Sequence, residues 1–240
     1  ARRARPVPCG CRAGREGFVI VPPARARRLL AGTLAAVAVV TGLVAGLAAL
    51  DRAFPPRTAP PEAFSVRVVD REGRLLRAFT TPGGRWRLPV RLSEVDPRFP
   101  ALLAAYEDRR FRAHAGVDPL AVARAAWQAV REGRIVSGAS TLTMQTVRLM
   151  SGERERTLGR KLVETVRALQ LERRLSKDEI LERYLALAPY GGNLEGIRAA
   201  SLAWFGREPA RLTLAQMALL IALPQSPEAR RPDRRPEAAR

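Results

Sequence analysis

The sequence predicts a mainly α protein with a small β segment, preceded by one membrane-spanning helix. Three observations carry this expectation. Leu29 to Leu50 is an uncharged apolar run. Phe64 to Val69 alternates and is β-branched, Asp70-Arg71-Glu72-Gly73 is a turn, and Arg74 to Phe79 returns, the pattern of a hairpin. From Ser93 onward, apolar residues recur at helical spacing between recognisable start and stop signals.

Residues 1–28 are rich in Arg, Pro and Gly and show no periodicity, so a disordered basic tail is expected there. Cys9 and Cys11, the only cysteines, are too few for a metal site or a disulfide framework. Residues 29–50, as a helix, span about 33 Å at 1.5 Å per residue, enough for a bilayer core. A cleaved signal peptide and a buried core helix are the competing readings, but the run is longer than a usual signal core of about 7–15 residues. Arg25, Arg27 and Arg28 on its N-terminal side put the tail in the cytoplasm and everything after Asp51 outside.

Residues 51–92 read as a Pro-rich spacer and hairpin. Pro55, Pro56, Pro60 and Pro61 stiffen the spacer, and Trp86 to Val90 offers a third strand. Residues 93–227 form the helical domain. Phe99 to Glu107 is its first helix. Asp118-Pro119 caps the next and Gly133 stops it. Helices follow over Ser140–Met150, Thr157–Arg173 and, from a capping box at Ser176-Lys177-Asp178-Glu179, through Leu187. Gly191-Gly192 breaks the chain, Asn193 is the candidate cap of a helix to Phe205, and Thr213–Leu223 closes the series at Pro224. Residues 228–240 read as a polar linker remnant, unfolded from Arg230. No internal repeat is present.

The net charge is +19, and Lys occurs only at 161 and 177. Eight arginines precede the apolar run, where they orient a membrane segment, and the rest are scattered. An anionic lipid or a diphosphate suits that distribution as well as a nucleic acid would, and the folded part, placed outside, disfavours nucleic acid.

The chemistry-bearing residues gather between Glu107 and Glu164. Glu107 ends an apolar helix and is followed by Asp108 and two arginines, so it is either a general base held partly out of water or a salt-bridged surface residue. His114 is the single histidine and lacks partners for a metal set, which favours a hydrogen-bonded structural role. Gly138 to Gln145 supplies hydroxyls, an amide and a helix N-terminus. It is an anion cradle or simply a capped helix start, and it is not a Walker loop. Arg160, Lys161 and Glu164 share one helix face, either as an ordinary surface pair or as a carboxylate flanked by cations. Neither Ser-x-x-Lys nor Lys-Thr-Gly occurs, so acyl-enzyme chemistry with β-lactams is not expected.

In order along the chain, EDRRFRAHAGVD, GASTLTMQ, RKLVE, SKDEILERYL and YGGNLEGIRAASLAWFG resemble the five motifs of the peptidoglycan glycosyltransferases, glycosyltransferase family 51. APYGGNLEGIRAAS with GASTLTMQ is most similar to the penicillin-binding protein 1C subgroup. Met144 stands where many members carry a second Gln, and Ala186 where the fourth motif usually has Asn.

The resemblance implies a lysozyme-like α fold that polymerises lipid II onto a growing glycan strand at the outer, periplasmic face of the bacterial cytoplasmic membrane, with inversion. It implies Glu107 as the base on the acceptor hydroxyl and Glu164 as a helper at the donor. Ser140, Thr141, Gln145, Arg148, Arg160 and Lys161 match positions lining the diphosphate or sugar clefts. Asp108, Phe111, His114 and Gly116 are the structural residues beside them. No metal ligand set is evident, no cofactor is required, and a divalent cation such as Mg or Mn can assist the diphosphate. The chain opens with Ala and reaches Arg240 without a transpeptidase domain, a pattern that fits a fragment and a one-domain enzyme alike. Two other functions compete: a peptidoglycan hydrolase or lytic transglycosylase, and a non-catalytic membrane-anchored scaffold.

Overall fold

The computed structural model describes residues 24–56, 58, 64–134, 139–152 and 157–239. Residues 1–23 of the expected basic tail, Pro60 and Pro61 of the spacer, and Gly138 lie outside the described residues, whereas residues 24–28, expected to be disordered, are helical. The chain divides into two compact units, one ending at Leu50 and one beginning at Asp51.

Helix α1, Ala24–Ala53, contains the apolar run. From Arg28 to Ala53 it is long and apolar enough to cross a membrane, with a mean hydropathy of 2.3 over its best window. Its described apolar side chains, among them Leu29, Leu34, Val40 and Leu43, are exposed.

In the second unit, β1 (Arg67–Val69) and β2 (Leu75–Ala78) form the expected antiparallel hairpin, with a register irregularity between Val68 and Val69. Asp70 closes the turn by accepting the Glu72 and Arg74 amides at 3.1 and 2.8 Å. The third strand expected over Trp86–Val90 is present over its first two residues. β3 (Trp86–Arg87) pairs in parallel with β4 (Leu194–Glu195), not with β2. The reason is electrostatic as well as geometric: Arg85 and Arg87 both reach the Glu195 carboxylate, Arg87 Nε at 3.0 Å. Arg87 and Glu195 are almost fully buried, so the pair is held by mutual neutralisation that neither could forgo.

The remainder is helical, as the fold class predicted: α2 (Arg98–Glu107), α3 (Pro119–Glu132), α4 (Leu142–Ser151), α5 (Leu158–Glu172), α6 (Lys177–Leu187), α7 (Ile197–Phe205), α8 (Leu214–Ala222) and the short α9 (Pro236–Ala239). α4 is the centre, packed against α5 and α6, while α2 packs on α8. Leu142, Met144, Val147 and Met150 of α4 join Phe99 and Leu103 of α2, Leu171 of α5, Ile180 and Leu185 of α6, and Met217 and Leu220 of α8 in one core. Met144 and Ala186 are both buried there, so each packs as an apolar core residue.

Most starts and stops lie where the caps put them. The Asp118 side chain accepts the Leu120 and Ala121 amides, and Gly133 ends α3 in the left-handed region at φ 65°. Thr141, Thr157 and Thr213 cap α4, α5 and α8, and the Ser176–Glu179 capping box is complete.

Two expectations are corrected. Asn193 does not cap α7. Its side chain donates to the Gly84 carbonyl at 3.0 Å, and Gly196 at φ 86° begins the helix instead. A Cβ at Gly196 would come within 2.6 Å of the Ala186 carbonyl oxygen, so only glycine fits that crossing. The segment from Arg230 is not unfolded either. Arg230 donates to the Ala222 carbonyl at 2.8 Å, and Arg231 pairs with Asp233 at 2.7 Å.

Candidate active site

Glu107 is the last residue of α2, where the helix ends and Asp108 turns away with φ −158° and ψ 79°. That exit aims the two carboxylates differently. Asp108 points inward: its oxygens lie 3.1 and 3.0 Å from His114 Nε2, and Oδ2 also accepts the Leu142 amide at the start of α4 at 3.0 Å. His114 Nδ1 accepts the Gly116 amide at 3.1 Å, which puts the ring proton on Nε2, facing Asp108. Gly116 accepts the Thr141 hydroxyl at its carbonyl, 2.6 Å away. Asp108, His114 and Thr141 are buried, so this chain of bonds pins the loop after α2 to the N-terminus of α4. Phe111 is buried beneath it, with Lys177 Nζ 4.5 Å from its ring centroid.

Glu107 turns the other way. Gln145 of α4 donates to its Oε2 at 2.9 Å, and Gln225, just after α8, donates to its Oε1 at 2.9 Å. Tyr184 of α6 is buried nearby. Burial pushes its hydroxyl far up, the Glu107 charge pushes it the same way, and Arg148 opposes them only in part, so the phenol stays protonated. Neither Gln225 nor Tyr184 was singled out from the sequence. Tyr184 sits within an apolar helical stripe and Gln225 behind a proline, and no local pattern ties either to Glu107.

Glu164 of α5 forms the second centre. Lys161 Nζ lies 3.3 Å from its Oε2 and Arg148 of α4 lies 3.9 Å from its Oε1. Lys161 also donates to the Ser140 hydroxyl, linking α5 to the turn before α4. Arg160 lies in the first turn of α5, its backbone amide bonded to the Thr157 cap at 3.3 Å. Of the sequence-selected residues, the structure therefore joins Glu107 to Gln145, and Glu164 to Arg148, Lys161 and Ser140. Gln145 and Arg148 are three residues apart on α4, so one helical turn reaches both glutamates.

Beside Glu107 an open cleft of about 490 Å³ is lined by Tyr106, Arg109, Arg110, Arg124, Ser140 and Thr141, together with Glu107 and Asp108. Arg109, Arg110 and Arg124 share this cleft with the carboxylates of Glu107, Asp108 and Asp118, so it can draw an anionic group close to a carboxylate. Asp118 is on the same wall. Burial pushes its carboxyl up, but the Ala121 and Leu120 amides and the Arg110 charge outweigh that and hold it below the ordinary value. Among the described residues no group of three or more His, Cys, Asp or Glu is placed to hold a metal ion.

The transglycosylase family model matches residues 72–240, which includes every residue of both centres. The chain belongs to the transglycosylase family of peptidoglycan glycosyltransferases. Similarity to individual members agrees with the 1C-like motifs. The chain is 51% identical to penicillin-binding protein 1C of Escherichia coli (strain K12) over 172 residues, 72% of this chain and 22% of that protein. It is 36% identical to penicillin-binding protein 1A of Aquifex aeolicus (strain VF5) over 219 residues, 89% of this chain and 30% of that protein. A crystal structure of penicillin-binding protein 1A from Haemophilus influenzae matches with a TM-score of 0.37 at 19% identity, over 75% of this chain and 17% of that one. The chain thus spans less than a third of the length of these relatives.

Proposed function

We propose that this chain extends glycan strands by polymerising lipid II, with Glu107 as the general base. The base takes the proton from the acceptor sugar's 4-hydroxyl as that oxygen attacks the donor's anomeric carbon. Undecaprenyl diphosphate departs from the opposite face, so the configuration inverts. Ser140, Thr141, Gln145, Arg148, Arg160 and Lys161 hold the sugars and diphosphate, and Glu164 keeps Lys161 and Arg148 in place at the donor. A cation carried by the diphosphate is compatible with this arrangement, and no step depends on it.

The observation that carries this reading is the single turn of α4 that offers Gln145 to Glu107 and Arg148 to Glu164. It couples a carboxylate held by neutral amides to a carboxylate held by two cations. The first suits proton abstraction, and the cations suit the charge that grows on a departing diphosphate. A glycan hydrolase would need an acid on a preformed strand and gains nothing from that second centre.

The uncharged run of α1, with Arg25, Arg27 and Arg28 before it, is the anchor in this reading. It crosses the cytoplasmic membrane once and leaves the domain on the outer face, at the lipid surface where the substrate resides. Residues 93–227 form the catalytic domain.

The test is polymerisation of labelled lipid II in detergent by the full chain, beside Glu107→Gln. Glycan strands made by the wild type, lost in the variant and blocked by moenomycin, are expected. Shortening of preformed strands would instead establish a hydrolase, and a folded protein without either activity would establish a scaffold.

A further inference from the structure

The segment that follows α8 returns to the domain and reaches the base. Arg230 donates through one guanidinium nitrogen to the Ala222 carbonyl at 2.8 Å and to Gln225 Oε1 at 3.3 Å. Gln225 then donates through Nε2 to Glu107 Oε1 at 2.9 Å. The order of this relay has a chemical cause. A primary amide can present either its oxygen or its nitrogen to a neighbour, but a guanidinium only donates and an ionised carboxylate only accepts. With Arg230 on one side and Glu107 on the other, a single orientation of the Gln225 amide satisfies both.

The residues flanking Arg230 are seated on the Gly191-Gly192 turn. Glu228 Oε1 accepts the Gly192 amide at 2.6 Å. The Arg231 side chain lies against Gly191 and Gly192, whose φ angles are 99° and 58°. A Cβ at Gly191 would come within 2.7 Å of Arg231 Cγ and 3.0 Å of the Pro227 carbonyl oxygen. The two glycines are therefore the seat for this strap, which continues into the Arg231–Asp233 pair.

We infer that Arg230 is a positioning residue for Glu107, acting through Gln225 to fix which end of that amide meets the carboxylate. The inference rests on Glu107 being the base. Glu107 is clamped on both oxygens, by Gln145 from α4 and by Gln225 from the strap side. Without Arg230 the Gln225 amide can turn its oxygen toward Glu107, exchanging an attractive contact for a repulsive one. A base so disturbed spends less time aligned with the acceptor hydroxyl, which lowers turnover and leaves substrate capture unchanged.

The experiment is steady-state polymerisation of lipid II by the full chain in detergent, with kcat and KM measured separately and Tm recorded for each variant. Arg230→Met and Gln225→Met are each expected to lower kcat about fivefold, with KM within about twofold. The double variant is expected to be no worse than either single, because both break one relay. Arg230→Lys, still only a donor, is expected to recover most of the rate, and the exposed Arg234→Met to leave it unchanged. If Glu107→Gln is inactive while Arg230→Met keeps wild-type kcat, the inference is overturned and the base assignment stands. Multiplicative losses in the double variant overturn it equally. If Arg230→Met does not fold, Gln225→Met decides, and wild-type kcat in that variant overturns the relay. An active Glu107→Gln overturns both the base assignment and the relay.

Discussion

Gln145 Nε2 donates to Glu107 Oε2 at 2.9 Å, so a neutral amide orients this carboxylate without neutralising it. Among the described residues Glu107 takes part in no ion pair, although Arg109, Arg110 and Arg124 line the same cleft. The distinction matters because a guanidinium in contact would stabilise the charged form and weaken a base. Gln145→Met removes the orienting bond and keeps the side chain's length. It is expected to lower kcat about tenfold, and since one hydrogen bond to a charged group is worth roughly 1.5–3 kcal/mol, to lower Tm by up to about 10 °C. Measured rates within twofold of wild type would show that Glu107 is held well enough without it.

Lys161 is one of two lysines in a chain that otherwise uses arginine, and its ammonium contacts Ser140 and Glu164 together. A compact ammonium can make both contacts where a planar guanidinium would have to choose a plane. Lys161→Met is expected to lower kcat/KM about a hundredfold, in the range for loss of a group facing developing charge. Lys161→Arg should recover only part of it. Full recovery in the Arg variant would mean that charge alone suffices, and the proposed geometry would have to be given up.

The limits of what could be read from the chain follow the same local and distant division. Asp118, Thr141, Thr157, Ser176 and Thr213 announce helix starts because a cap is made with residues two or three positions away. The hairpin around Asp70 is equally local. Asn193 misled because its side chain had a partner 109 residues distant, the Gly84 carbonyl, that no window contains. The partner of β3 was out of reach for the same reason, since Glu195 lies 108 residues away from Arg87. At the site, Glu107, Gln145 and Glu164 were recognisable from ordered motifs. Tyr184 and Gln225 were not, because only the folding of distant segments brings them to Glu107.

Gly116 offers a sharp test of how the loop after α2 is held. Its φ is 93°, and an added Cβ would lie 2.8 Å from both the carbonyl carbon and the oxygen of Ala168 in α5. Gly116→Ala therefore combines a left-handed conformation costing about 1–2 kcal/mol with overpacking of about 1–3 kcal/mol against rigid backbone. A loss of roughly 2–5 kcal/mol, seen as a Tm lower by about 5–15 °C, is expected by thermal denaturation. Polymerisation should fall as well, because the Gly116 carbonyl holds Thr141 at the start of α4. A variant as stable as wild type would mean that α5 can yield at Ala168.

Acid should weaken the fold through three carboxylates bonded near helix starts. The Arg98 side chain and amide lower Asp96 from its ordinary 3.8 to about 2. The Ser176 amide and hydroxyl hold Glu179 below its ordinary value. Asp118 is held low by its own capped amides despite burial, as described above. Each folded-state value lies below the unfolded one, so on acidification the unfolded chain takes up the proton first. The stability these groups supply is thus fully present above about pH 5 and is lost as pH falls through their lowered folded values. Net positive charge also grows in acid and destabilises any compact state, so a falling Tm alone would not separate the two causes. The difference between variants does. Asp96→Asn is expected to lower Tm at pH 5 and to converge with wild type near pH 2, where Asp96 is itself losing its charge. Parallel Tm curves from pH 5 to pH 2 would show that Asp96 draws its stability from something other than its ionised contact with Arg98.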